Sequence, residues 1–187
     1  MRALSIAPAS REGEATAAII LARVGEIARA QSLVADIGRR YPDHSVMQSY
    51  WLPTIRAQMA LRSGDAATAL HELQRAAPLD LLYPQVFFYS LMPSVVLRAE
   101  AYLLARQPEP AAQQWLTILG NPGIPQLSAT VPFARLQLAR SYAVSAAATP
   151  PGSGAAQAYQ DFLRRWDAAD PDIPLLIHAR AEFARLQ

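Results

Sequence analysis

Apolar residues recur along most of this chain at the three- and four-residue spacing that turns one face of an α-helix toward a core. The spacing predicts four antiparallel helix pairs followed by one further helix. Prolines at 93, 132 and 174 fall near predicted helix starts, where a missing N–H costs nothing. The predicted helices span residues 11–23, 26–41, 45–62, 65–76, 93–106, 109–119, 132–145, 154–166 and 174–186.

Pro53 leaves two alternatives for the third predicted helix. Proline is tolerated in the first turn of a helix but kinks its interior. Either the helix begins shortly before Pro53, or it begins at Ser45 and Pro53 kinks it.

A small residue followed four positions later by a large one recurs in the second helix of each predicted pair. Alanine allows two helices to approach closely, and the large residue fills the groove beside it. We call these two residues an anchor pair. The four anchor pairs are Ala30 with Val34, Ala69 with Leu73, Ala112 with Leu116, and Ala155 with Tyr159.

The turns and the first helices repeat as well. Gly25 and Gly64 each lie five residues before an anchor alanine, and Gln107-Pro108 takes the place of the glycine in the third pair. Tyr102 and Tyr142 each follow an alanine by three residues. The pattern predicts a single all-α domain over residues 1–187. Its repeats span about 11–44, 45–78, 93–121 and 130–170, and a capping helix with a polar outer face spans about 174–186.

Composition narrows the possible functions. Apolar residues make up 52% of the chain and charged residues 17%, which excludes a disordered polar tract. The formal charge is +2 and the cations are scattered, so nucleic-acid binding is not expected. The chain has no cysteine, and no apolar stretch reaches the roughly 20 residues that span a bilayer. We expect a cytoplasmic protein that does not bind membranes.

Candidate chemistry is sparse. The three histidines lie far apart without a metal-binding companion, and the aspartates around 161–172 do not match a calcium loop. Gly152-Ser153-Gly154 follows two prolines and indicates a linker, not a nucleophile elbow. We therefore expect no catalytic residue, no metal and no cofactor.

Three segments carry a family resemblance: SYWLPTIRAQMALRSGDAATALHELQRAAP, RAEAYLLARQPEPAAQQWLTIL and AYQDFLRRWDAADPDIPLLIHARAEFARL. They resemble the tetratricopeptide (TPR) repeat regions of bacterial, especially acidobacterial, multidomain proteins. Such regions often follow a serine/threonine kinase or winged-helix domain. The resemblance implies a right-handed superhelical α-solenoid that binds a protein or peptide partner. No kinase motif is present, so it implies no kinase activity.

In such a solenoid the first helix of each pair lines the concave groove. Helical spacing places Trp51, Gln58 and Arg62 on one stripe of the second pair, with Glu100 and Arg140 on similar stripes later. An arginine there can bind a peptide carboxylate through two hydrogen bonds, and Trp51 can act as an apolar anchor. The alternative is that Trp51 belongs to the core and the charges are solvated.

The link PLDLLYPQVFFYSLMP between the second and third pairs is unusually apolar. It predicts either a short extra helix folded into the core, or an exposed aromatic patch of Tyr83, Phe87, Phe88 and Tyr89 that docks a partner.

The leading hypothesis from the sequence is a protein-interaction module. The alternatives are a sensory or self-associating module of a bacterial kinase or transcriptional regulator, and, less favoured, a small-ligand binder or enzyme.

Overall fold

The computed structural model describes residues 10–81, 92–121, 123–124, 129–146 and 154–186. These residues form nine α-helices and no β-strand. By their internal contacts they belong to two compact units, which we call unit 1 (within residues 1–84) and unit 2 (within residues 85–187). The all-helical class is confirmed, whereas one continuous domain stays a prediction.

The described residues of unit 1 form two helix pairs. The central helix is α3, which packs against the other three helices of the unit. The helices are α1 (Arg11–Arg23), α2 (Ile27–Arg40), α3 (Leu52–Arg62) and α4 (Ala66–Ala76), with a π-helical turn at Met47–Trp51 and a 3-10 turn at Ala77–Leu79. Glu14 is a buried carboxylate on α1, and it forms an ion pair with Arg40 of α2. This pairing offsets the cost of removing the charge from water.

In unit 2, each described helix packs on the next one along the chain. The helices are α5 (Pro93–Leu104), α6 (Pro108–Gly120), α7 (Thr130–Ala146), α8 (Ala155–Arg165) and α9 (Pro174–Ala184). Trp115 is the largest fully buried side chain of one core cluster, and Phe162 is the largest of the other.

All nine predicted helices are present. Their ends agree with the prediction within two residues, except that α3 begins at Leu52, seven residues after the predicted start at Ser45. Local chemistry explains two of the starts. The Ser10 hydroxyl accepts a hydrogen bond from the Gly13 N–H at 3.0 Å before α1. The Asp65 carboxylate accepts one from the Thr68 N–H at 2.9 Å before α4. Both side chains satisfy N–H groups that have no partner inside the helix.

The structure combines the two alternatives for Pro53. The chain is helical from Ser45, and Pro53 lies in the first turn of α3. Between them, the Leu52 N–H bonds to the Met47 carbonyl, five residues back instead of four. Because Pro53 has no N–H and its ring crowds the preceding turn, the wider π-helical turn accommodates it.

Three of the turns inside helix pairs share one geometry. Gly25, Gly64 and Arg106 adopt positive φ angles of 92°, 79° and 60°. The next residue donates its N–H to the carbonyl five positions earlier: Glu26 to Leu21, Asp65 to Ala60 and Gln107 to Tyr102, over 2.8–2.9 Å. This hydrogen bond and the left-handed residue are the marks of a Schellman turn, which ends a helix. The predicted glycine turns at Gly25 and Gly64 are confirmed. In the third pair Arg106 takes the place of the glycine, and not Gln107-Pro108 as predicted, because Gln107 and Pro108 already begin the next helix.

The third anchor pair is wrong in its large residue, Leu116, whereas its alanine, Ala112, is buried at 3% exposure and belongs to a core cluster. Counting five residues from the turn, as in the first two pairs, gives Ala111, and four further residues give Trp115. Both side chains are 0% exposed, whereas Leu116 is 38% exposed. The sequence offers two adjacent alanines, Ala111 and Ala112, and without a turn glycine it does not distinguish them.

The predicted capping helix is present as α9, with one correction. Leu176 and Ala179 pack into the cluster formed with α8, as expected. Ile177 is 49% exposed, and Leu186, which falls inside the predicted span 174–186, lies beyond the end of α9 and is exposed. The outer face of α9 is therefore not uniformly polar.

Replacing Gly64 with alanine is expected to lower the free energy of unfolding by about 1 kcal/mol. No atom lies within 4 Å of the added Cβ, so the cost comes from the positive φ angle alone. Gly120→Ala is the matched control, because its Cβ also meets nothing and its φ angle is not positive. Urea denaturation followed by circular dichroism measures both. Equal effects of the two substitutions would contradict the strained-turn explanation.

Candidate functional site

The described surface of unit 1 contains a groove of about 440 Å³. We call it the edge groove, because its walls come from helix ends beside the Gly25 and Gly64 turns. The start of α2, the last two turns of α3 and the start of α4 contribute its principal lining residues: Ile27, Gln31, Arg56, Met59, Arg62 and Thr68.

The two glycine turns explain why these helix ends meet. Each turn reverses the chain, so the end of α3 lies beside the starts of α2 and α4. Arg62 shows the contact directly. Its Nε and one terminal nitrogen each lie 3.5 Å from the position that a Cβ on Gly25 would occupy. The last residue of α3 therefore rests against the turn between α1 and α2.

The edge groove is lined by two arginines, Arg56 and Arg62, and by one aspartate, Asp65. Within the described residues, neither Arg56 nor Arg62 forms an ion pair with a carboxylate. Asp65 also lines the groove, but its oxygens accept from the Thr68 N–H at 2.9 Å and hydroxyl at 2.6 Å. These bonds lower the pKa of Asp65, with the hydroxyl bond as the largest cause. Asp65 therefore caps α4 as an ionised carboxylate, and it forms no ion pair with Arg56 or Arg62.

The structure separates the residues that the sequence placed on one stripe. Trp51 is 5% exposed and Gln58 is 4% exposed, so both lie in the interior of unit 1. The Gln58 side-chain oxygen accepts a hydrogen bond from Arg23 Nε at 3.1 Å. Only Arg62 of this stripe is on the surface, where it lines the edge groove. Because α3 packs against three helices, almost all of its turns are covered.

Arg140 lies in unit 2 and already binds a carboxylate. Its Nε and a terminal nitrogen donate to the two Glu182 oxygens at 2.9 and 2.7 Å. The Tyr159 hydroxyl donates to Glu182 Oε2 at 2.9 Å. Glu182 on α9 thus occupies the position predicted for a peptide carboxylate. Of the other residues predicted to bind a partner, Glu100 is half-buried on α5. The predicted aromatic patch of Tyr83, Phe87, Phe88 and Tyr89 lies outside the described residues.

Replacing Glu182 with glutamine is expected to lower the free energy of unfolding by about 1–2 kcal/mol at pH 7, because the charge-assisted hydrogen bonds to Arg140 are lost. Arg140 holds the pKa of Glu182 below its usual range, and the Tyr159 hydrogen bond lowers this pKa further. The stabilisation by ionised Glu182 is therefore fully present above the usual pKa of glutamate, and it is lost as the pH falls through the lowered pKa of Glu182 in the folded protein. Urea denaturation at pH 7 and pH 3 should show a difference between wild type and variant that shrinks in acid.

Glu26→Gln provides a matched control for that measurement, because Glu26 also pairs with an arginine. That pair is 3.6 Å long and both side chains are about half exposed. The control should change stability by less than about 0.5 kcal/mol. A Glu182→Gln effect no larger than the Glu26→Gln effect at pH 7 would contradict a stabilising Arg140–Glu182 pair.

The sequence interpretation missed Arg56, Met59 and Ile27. Met59 lies three residues before Arg62, and Arg56 lies three residues before Met59, so each is a surface neighbour of the next on α3. That spacing was available in the sequence. The approach of Ile27 to this face was not, because it depends on how two turns pack together.

The described residues contain no group of three or more histidine, aspartate and glutamate side chains able to hold a metal. Among the described helices, none combines the length and apolar character that crossing a membrane requires. Comparison of the chain with protein-family models, with curated proteins and with solved structures finds no match.

Proposed function

We propose that this chain is a non-catalytic, TPR-like interaction scaffold that binds a protein or peptide partner in the cytoplasm. In this proposal its helix pairs stack into a right-handed superhelical array. The observation that carries it is the turn repeated at Gly25, Gly64 and Arg106.

The repeated turn supports the proposal because it recurs with the same packing. A fully buried alanine follows each turn after five residues, at Ala30, Ala69 and Ala111. One unit of turn, small residue and second helix is thus used three times at a spacing of roughly 40 residues, which is longer than the 34 of a standard TPR. Arrays of such units bury their cores between neighbours and leave long surfaces open to partners.

The hydroxyl groups of the edge groove also favour binding over catalysis. Ser63 donates to the Ala60 carbonyl at 2.9 Å, and Thr68 donates to Asp65 at 2.6 Å. Both hydroxyls are engaged at the turn between α3 and α4, and the described lining of the groove holds no histidine or lysine that could activate either as a nucleophile. The open groups of the groove are guanidinium and aliphatic side chains, which suit recognition.

An affinity experiment tests the proposed function. The purified chain is immobilised and exposed to a lysate of the source cell, and bound proteins are quantified by mass spectrometry. An unrelated helical protein of similar size serves as the control. We expect at least one protein to be enriched about tenfold or more over the control, and to be displaced by excess soluble chain. If no protein is both enriched and displaced, the scaffold function is rejected.

A further inference from the structure

The edge groove has a chemical character that narrows its partner. Arg56 and Arg62 are six residues apart on α3, which separates their backbones by about 9 Å along the helix axis. Both side chains line the groove, and within the described residues neither has an acidic partner. A ligand with two anionic groups separated by a distance of this order would therefore pair with both arginines, although the Asp65 carboxylate in the same lining offsets part of their charge.

The floor between the two arginines is aliphatic. Met59 lies midway between them in sequence, and Ile27 and Ala60 complete this part of the lining. Met59 and Ile27 are half-buried, so each presents apolar surface to an incoming side chain. The groove therefore places apolar contact area beside two guanidinium groups, an arrangement that suits a peptide with acidic and aliphatic side chains.

A nucleic acid fits this surface less well. Single-stranded nucleic acids bind through aromatic platforms on which bases stack. The described lining of the edge groove has no aromatic residue. The chain as a whole has a formal charge of only +2, and its cations are scattered along the sequence. The available contacts favour carboxylates carried on a peptide over phosphates carried on a polynucleotide.

We propose that the edge groove binds an acidic peptide segment, with carboxylates on Arg56 and Arg62 and an aliphatic side chain on Met59 and Ile27. This proposal rests on the scaffold function and specifies one of its surfaces. The surface lies at the turn side of the helix pairs. It uses only one of the residues that the sequence analysis assigned to a concave groove, Arg62.

A random 12-residue peptide library displayed on phage provides the probe. Selection on the wild-type chain should enrich sequences with at least two aspartates or glutamates and an aliphatic neighbour. The best enriched peptide is then synthesised with a fluorophore and its Kd is measured by anisotropy. In Arg56→Gln/Arg62→Gln the Kd should rise by about tenfold or more, and added salt should weaken binding to the wild type.

Two controls make the outcome specific. Arg75→Gln/Arg180→Gln removes two exposed arginines outside the groove lining, and the Kd should change by less than about twofold. In a second titration, labelled single-stranded dT12 replaces the peptide. We expect dT12 to bind the wild type more weakly than the peptide does, and the two double variants to reduce this binding to the same extent. Melting curves confirm that both double variants are folded.

Several results would overturn the proposal. They are a library that enriches no sequence, enrichment of neutral or basic peptides, an unchanged Kd in Arg56→Gln/Arg62→Gln, or dT12 binding that is tighter and depends on Arg56 and Arg62. The scaffold function is tested separately by the affinity experiment. It is rejected only if that experiment finds no protein that is both enriched and displaced by soluble chain. If a protein partner binds wild type and Arg56→Gln/Arg62→Gln equally well, the scaffold function stands, but the edge groove is not the surface that binds this partner.

Discussion

Trp115→Ala is expected to lower the free energy of unfolding by about 3–5 kcal/mol. Trp115 is 0% exposed and lies in the core cluster that α5, α6 and α7 share in unit 2. Its ring meets Phe133 edge-on, with centroids 5.7 Å apart and planes at 85°. Alanine would remove this contact and leave a cavity that the surrounding helices only partly fill. Urea denaturation followed by circular dichroism measures the loss.

Two further variants separate packing from other causes. The Trp115 indole N–H has no hydrogen-bond partner within the described residues, so Trp115→Phe loses volume without losing a hydrogen bond. We expect it to cost less than half as much as alanine. Leu116→Ala changes the neighbouring exposed residue and should stay within about 0.5 kcal/mol. A larger effect at Leu116 than at Trp115 would restore the register that the sequence predicted.

The helices were predictable because their signals are local. Periodic apolar residues, prolines at helix starts and the glycines at 25 and 64 all act within one or two turns of the chain. They therefore locate all nine helices without knowledge of the packing. The third anchor pair shows the limit of this approach. Ala111 and Ala112 are both buried, so burial does not distinguish them, and only the Arg106 turn, which has no glycine, identifies Ala111 as the alanine five residues after the turn.

The candidate site was less predictable because it depends on distant contacts. Gln58 looked like a groove residue, yet α3 packs against three helices and Gln58 bonds to Arg23, 35 residues earlier. Arg140 looked available, yet Glu182, 42 residues later, pairs with it. Predicting binding residues from helical spacing alone assumes that one face of the helix remains exposed to solvent. This assumption fails for a central helix such as α3, which other helices cover. It also fails for a charged residue such as Arg140, whose partner Glu182 lies on a helix further along the chain.

Arg62 is informative for the opposite reason. It is the last residue of α3, where the covering helices end, so its side chain reaches the surface as predicted. The groove that it lines is assembled from two separate turns and could not be derived from one helix. Sequence reasoning therefore identified one of its residues, and the packing of the turns supplied the others.

Ala69→Leu is expected to lower the free energy of unfolding by about 3 kcal/mol, at the upper end of the range for overpacking a core. Ala69 is 0% exposed in α4, five residues after the Gly64 turn, and Leu73 one turn later is also fully buried. A leucine at position 69 would have to push α3 and α4 apart. Because Gly64 fixes the turn beside it, the helices cannot shift freely to make room.

Ala67→Leu makes the same chemical change in the same helix at an exposed position, so it isolates the effect of packing. Leucine is nearly as good a helix former as alanine, and we expect a change within about 0.5 kcal/mol. Thermal and urea denaturation of both variants measure the difference. If Ala69→Leu were tolerated as well as Ala67→Leu, close approach at the small residue would not be what joins α3 to α4. The repeated buried alanines would then give no support to a stacked array of helix pairs, and the proposed scaffold would lose its main structural argument.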